Sequence, residues 1–168
     1  MRDPALRDLK PLWLFLVSDD ENVDRFPEWQ TSLGIKKDYG KWNDSSDEMA
    51  FRSLELTKEK LAWLKAEVNP ALLDRQTALS YQMAVDACNN SIQNFKYRRY
   101  NYPANQMFGR HTGIPSFLIN EHLIKEASDA EAYLSRLRSI DAVIEQLIDG
   151  LEKREHLGVV PPRFVFPS

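Results

Sequence analysis

The sequence predicts an all-α protein, a multi-helix array with long antiparallel helices. Three observations carry this. Apolar residues recur at three- and four-residue spacing along most of the chain. Helix-start signals of the Asp-Pro, Ser-x-x-Glu and Asn-Pro kind stand just ahead of those runs. No segment sustains the period-two alternation of a half-buried strand. With 168 residues the chain can bury a core without disulfides or metal. It reads as a single helical region over 1–168: a first helical half to residue 100, a Pro/Gly-rich connection over 101–127, and a second helical half with a tail over 128–168.

The first helix is predicted to open at Asp3-Pro4, an N-cap followed by Pro at the first helical position. Leu6, Leu9, Trp13 and Leu16 line its apolar side. The acidic run "SDDEN" interrupts it, and a short helical piece passes through Val23 and Phe26. The stretch "FPEWQTSLGIKKDYGKWNDSSDE" is punctuated by Gly34, Gly40, Asn43 and Asp44 and reads mostly as loop. Ser45 with Glu48 has capping-box spacing and begins a long helix to about Val68. Ala50, Leu54, Thr57, Leu61, Leu64 and Val68 form a seam for another helix. Asn69-Pro70 ends that helix and caps a third, which runs to about Arg99. Leu72, Leu79, Met83, Cys88, Ile92 and Phe95 supply its buried side.

The stretch "YPANQMFGRHTGIPSFL" then turns the chain. Pro103 stops the long helix, Gly109 and Gly113 permit unusual backbone angles, and Phe108, Ile114, Phe117 and Leu118 pin the corner to the core. Ser128 with Glu131 forms a second capping box. Tyr133, Leu134 and Leu137 make one apolar face, and Val143, Ile144, Leu147, Ile148 and Leu151 another. Ser139-Ile140-Asp141 is the corner between them. Gly158 is the helix stop and Pro161-Pro162 shuts the element off.

Composition excludes several classes of function. Charged residues make up 28% and hydrophobic ones 43%, with a net charge of −3, which gives no general pull towards nucleic acid or an anionic membrane. The cluster "KYRRYNY", with Lys96, Arg98 and Arg99, has the mixture of a base-stacking surface. It is one short patch at a helix C-terminus, where cations are favoured anyway, so no nucleic-acid partner is expected. Cys88 is the sole cysteine, which rules out an intramolecular disulfide. On the apolar side of a helix it reads as buried and inert. The run "LWLFLV" is too short to span a membrane, and neither a signal peptide nor a lipobox cysteine is found.

Catalytic signals are sparse. His111, His122 and His156 form no His-x-x-x-His pair. His122 and Glu126 have i,i+4 spacing, but two ligands do not make a zinc site, and a surface or capping role is preferred for His122. His111 follows Gly109 and Arg110 in a loop of the kind that carries functional residues. It is the one candidate functional residue, with a structural hydrogen-bonding role as the preferred alternative. There is no phosphate loop, nucleophile elbow or dinucleotide fingerprint. No catalytic, cofactor-binding or metal-ligating residue is therefore expected.

The order of several short segments resembles the N-terminal part of the bacterial domain of unknown function 885 family. "FPEWQTSLGI" resembles its Pro-x-x-Ala-Thr-x-x-Gly segment, with Gln30 in the Ala place. "WNDSS" resembles the polar turn that follows, and "YPANQMFGRHTGIPSFL" the Tyr-Pro-x-Asn-x-x-x-Gly segment. "DAEAYLSRLRSI" resembles Asp-Ala-x-x-Tyr-x-x-Arg-Leu, and "GLEKREHLGVVPPRFV" the closing Gly-x-x-x-Gly-x-x-x-Pro segment. Family members resemble helical zinc metallopeptidases, with a His-Glu-x-x-His helix far downstream of this region, and many resemble exported lipoproteins.

The resemblance implies that this chain is the non-catalytic N-terminal portion of such a protein, a cleft wall or scaffold that is inactive alone. Zinc and a peptide substrate are implied only for a full-length parent, in which His111 would be a substrate-cleft contact. The expected partners are the remainder of that parent, or another protein, through exposed apolar helix faces. The alternative is a stand-alone helical protein–protein interaction module.

Overall fold

A computed structural model describes residues 23–105 and 107–165. The predicted first helix, with Leu6, Leu9, Trp13 and Leu16, lies outside them. The protein is all-α: six α-helices and three single 3-10 turns, with no strand, among the described residues. We number the helices α1 (Pro27–Ser32), α2 (Asp47–Glu67), α3 (Arg75–Asn94), α4 (Arg110–Asn120), α5 (Ala127–Arg138) and α6 (Ile140–His156). They fall into two compact units. One is Asp47–Tyr97; the other joins Val23–Ser46 to residues 98–165.

The first unit is an antiparallel helical hairpin of α2 and α3. Leu64 and Val68 pack against Val85 and Cys88 near its closed end, with Leu61, Trp63, Leu73, Tyr81 and Ala84 around them. At the open end the rings of Phe51 and Phe95 lie 5.2 Å apart. The seam expected on α2 is thus used inside the chain, and Cys88 is buried as expected.

Three expectations here are corrected. Ser45 does not cap α2. Its backbone N–H and hydroxyl both donate to Oε1 of Gln146, and the helix begins two residues later. Asn69 caps only the 3-10 turn Pro70–Leu72, while Asp74 caps α3, its Oδ1 accepting from the N–H groups of Gln76 and Thr77 at 2.8 and 2.9 Å. The single long helix is therefore interrupted, because a second capping residue, Asp74, stands five residues after Asn69. Finally, Leu72, Leu79 and Met83 are exposed. The inward stripe is Tyr81, Val85, Cys88, Ile92 and Phe95, spaced by four and three.

In the second unit Trp42, Ile114, Leu118 and Val143 form the core, with Phe117, Tyr133, Ile140 and Ile144 packed on it. The Pro/Gly-rich stretch holds a helix the sequence reading missed, α4, despite Gly113 and Pro115 inside it. Pro115 removes one amide donor and is normally a breaker; burying Ile114 and Leu118 outweighs that. Ahead of α4, Oδ1 of Asn105 accepts from the N–H groups of Met107 and Phe108 at 2.9 and 2.8 Å. Gly109 then takes φ +154°, and a Cβ there would lie 2.9 Å from the Ala104 Cα, so only glycine fits. Phe108 does not pin this corner; it is 70% exposed.

The start of α5 is likewise not the Ser128–Glu131 box. Asp129 reaches back to the N–H groups of Lys125 and Glu126 at 2.9 and 3.2 Å. Leu134 and Leu137 are exposed because α5 turns a different face inward, and Ile148 on α6 is exposed as well. The expected corner is found at Ser139, between α5 and α6. Gly158 ends α6 at φ +73°: its N–H donates to Glu155 O and that of Val159 to Arg154 O, the paired bonds of a Schellman stop.

Candidate functional site

The inward face of α5 carries Asp129, Tyr133 and Arg136, a four-then-three spacing that stacks them on one side. Asp129 is 1% and Arg136 0% exposed. A guanidinium is rarely buried without a carboxylate partner, and Arg136 is held instead by neutral acceptors. Its Nε donates to Lys41 O at 2.9 Å. Nη2 donates to Thr31 Oγ1 at 2.8 Å, and that hydroxyl in turn donates to Pro27 O at 2.9 Å. Nη1 lies 2.8 Å from Nδ1 of His122. The guanidinium carbon sits 4.7 Å from the Phe117 ring centroid, 5.4 Å from Trp42 and 5.5 Å from Tyr39, where ring quadrupoles favour a cation. Burial pushes its pKa down to about 10, so it keeps its charge at neutral pH.

The surrounding groups tie down the chain segments that reach the arginine. Trp42 Nε1 donates to Arg136 O at 3.0 Å. Gln30, fully buried, donates to Val23 O and Asp24 O and accepts from the N–H of Asp38. Glu28 and Asn43 exchange two backbone-to-side-chain bonds, each of 3.0 Å. Glu28 also takes a bidentate pair from Arg110, at 2.8 and 2.5 Å, and the Arg110 guanidinium lies 5.3 Å from the Trp42 ring. Trp42 is thereby flanked by two guanidinium groups. The Lys36 ammonium beside Asp129, at 2.6 Å, and two backbone N–H groups hold that carboxyl below the usual carboxylate range.

His122 is part of this site rather than on the surface. It is 4% exposed, tilted against Tyr39 at 4.2 Å and edge-on to Tyr133 at 5.2 Å. Its surface or capping role is corrected, because the connection it sits on runs beneath α5 and its ring is the acceptor Arg136 needs. His111 lies exposed in the first turn of α4, next to Arg110. His156 is exposed in the last turn of α6. Cys88 is in the other unit, and there Lys96 places its ammonium 4.8 Å from the Tyr97 ring centroid.

The structure thus does not bring the three histidines together. Among the described residues no group of three His, Cys, Asp or Glu side chains could hold a metal ion, and His122 already has both ring nitrogens engaged. The described residues do not fit a zinc site.

What sequence reasoning missed was Arg136, and a signal for it was present. Pro27 and Thr31 belong to the first of the resembling segments, Trp42 to the second, Phe117 to the third, and Asp129, Tyr133 and Arg136 to the fourth. Segments far apart in the chain meet around one side chain. Gln30, which stands in the Ala place, fastens residues 23–24 to residue 38.

The described residues define an all-helical protein, one of whose two units is built around a buried arginine. A family profile described as bacterial protein of unknown function (DUF885) matches residues 27–168, and the chain belongs to that family. No curated protein and no solved structure matches it.

Proposed function

We propose that the chain supplies the non-catalytic helical portion of a metallopeptidase-like protein, acting as a wall or scaffold of a substrate cleft and inactive by itself. The observation that carries this reading is how the buried polar groups are used. Gln30, His122, Asp129 and Arg136 bond backbone groups, one another, or the side chains of Lys36 and Thr31. Such groups fix chain segments and present no acid, base or nucleophile to a substrate. In a full-length parent, zinc bound by a His-Glu-x-x-His helix would activate water for peptide hydrolysis, and His111 on the exposed start of α4 would be a cleft contact.

The purified chain is expected to leave quenched-fluorescent peptides uncleaved with zinc present. Chelator-sensitive hydrolysis by this chain alone would overturn the scaffold reading. A gene whose frame carries no His-Glu-x-x-His helix beyond Ser168 would remove the metallopeptidase link.

A second reading, a stand-alone interaction module, is favoured by the exposed Tyr100, Tyr102, Met107 and Phe108, which cluster on the segment before α4. Light scattering after size exclusion tests it: a monomer at every concentration that co-purifies with nothing counts against it.

A further inference from the structure

The hydrogen bonds of His122 fix its protonation state. Nε2 lies 3.0 Å from the carbonyl oxygen of Asp129, which can only accept. Nδ1 lies 2.8 Å from Nη1 of Arg136, and a guanidinium can only donate. One tautomer satisfies both: a neutral ring with its proton on Nε2. A second proton would have to sit on Nδ1, facing an N–H. An attractive bond would become a donor–donor clash between two cations, out of reach of water.

We propose that His122 is an acid-sensitive latch, whose protonation at Nδ1 detaches Arg136 and frees residues 27–46 from α4 and α5. Arg136 is the buried link: it bonds Pro27, Thr31 and Lys41 while lying against Phe117 of α4, whereas the other ties, Arg110 to Glu28 and Lys36 to Asp129, each involve a partner open to solvent. The groups facing the ring are accounted for from each side. Tyr39 and Lys36 approach from residues 33–46, and Asp129, Tyr133 and Arg136 from α5. The one carboxylate among them, Asp129, is already taken by Lys36 at 2.6 Å, so no free anion waits to stabilise an imidazolium. Burial, then the charge of Arg136, push the His122 pKa below its ordinary value, against the pull of the Asp129 carbonyl.

The sign follows from linkage. A histidine held neutral in the closed form titrates at about 6.5 once opened. The latch is therefore fully held above about pH 6.5. Below that, the open fraction rises about tenfold per pH unit until the closed form itself takes the proton. Histidine is the side chain suited to such a device, and the two-state element it biases is the docked segment.

The test follows the Trp42 indole N–H, which donates to Arg136 O, by hydrogen-exchange NMR on the whole chain at pH 7.5, 6.5 and 5.5. Its protection, corrected for intrinsic exchange, is expected to fall about tenfold between pH 7.5 and 5.5, most of it below pH 6.5. His122→Gln keeps an acceptor for Arg136 but cannot titrate, so it should abolish that fall. Persistence of the fall in H122Q, or a flat wild-type profile, overturns the proposal. Should H122Q not fold, the wild-type slope decides. Near one decade per pH unit starting at about 6.5 sustains the latch. A loss that begins only where carboxylates titrate, near pH 4, overturns it.

Discussion

Arg136 is the residue on which the second unit depends most. Removing its guanidinium leaves buried neutral acceptors, Lys41 O and His122 Nδ1 among them, dry and unpaired, at about 1–3 kcal/mol for each group left unsatisfied. Arg136→Met is therefore expected to lower the unfolding free energy by at least about 1–3 kcal/mol in urea titrations. Arg136→Lys should recover little, because one ammonium cannot serve Lys41 O, Thr31 Oγ1 and His122 along a planar fork. Lys153→Met, which breaks the exposed pair with Asp149, should cost less than about 1 kcal/mol. If the two losses are equal, the arginine is not the organising group. Little of this was readable beforehand. Charged residues in a helix are ordinarily placed outside, and the arginine's side-chain partners lie 14 to 105 residues away, where no local spacing points to them. Cys88 was legible because the apolar spacing of its own helix already turns it inward, towards Leu64 and Val68.

At the scale of elements, helix existence was readable wherever apolar periodicity was long, as in α2 and α6, and failed where local chemistry argued the other way. Gly113 and Pro115 concealed α4. Leu72, Leu79 and Met83 misdirected the phase of α3, because large apolar side chains also occur on surfaces. The helix boundaries were set by side chains competing to cap, and Asp74 and Asp129 won over Asn69 and Ser128. Two substitutions separate backbone constraint from capping. Gly109→Ala forces a Cβ against Ala104 and a positive φ, and is expected to cost about 1–3 kcal/mol. Asp74→Ala removes a cap and should cost about 0.5–2 kcal/mol. Thermal melts of both variants check the order. A Gly109→Ala variant as stable as the parent would mean the turn before α4 has room to relax.

At the scale of the whole molecule, the described residues start in the second unit at Val23, leave it after Ser46 to build the hairpin, and rejoin it at Arg98. The all-α class was plain from periodicity. This nesting was not, because which segments share a core is a long-range property. The two units have separate cores, so damage should stay where it is made. In hydrogen-exchange mass spectrometry, Arg136→Met is expected to expose amides in residues 27–46 and 110–150 and to leave those of α2 and α3 protected. Uniform loss across both would show one cooperative unit instead.

The hairpin's open end has a consequence of another kind. Because Phe51 meets Phe95 there, the chain enters and leaves α2 and α3 at neighbouring points. The distal bend around Asn69-Pro70 can then be lengthened or trimmed by whole turns while those two points stay put. The hairpin behaves as a cassette with a fixed base and an adjustable reach. Its length is a quantity that descent can tune without rewriting the arginine-centred half of the chain.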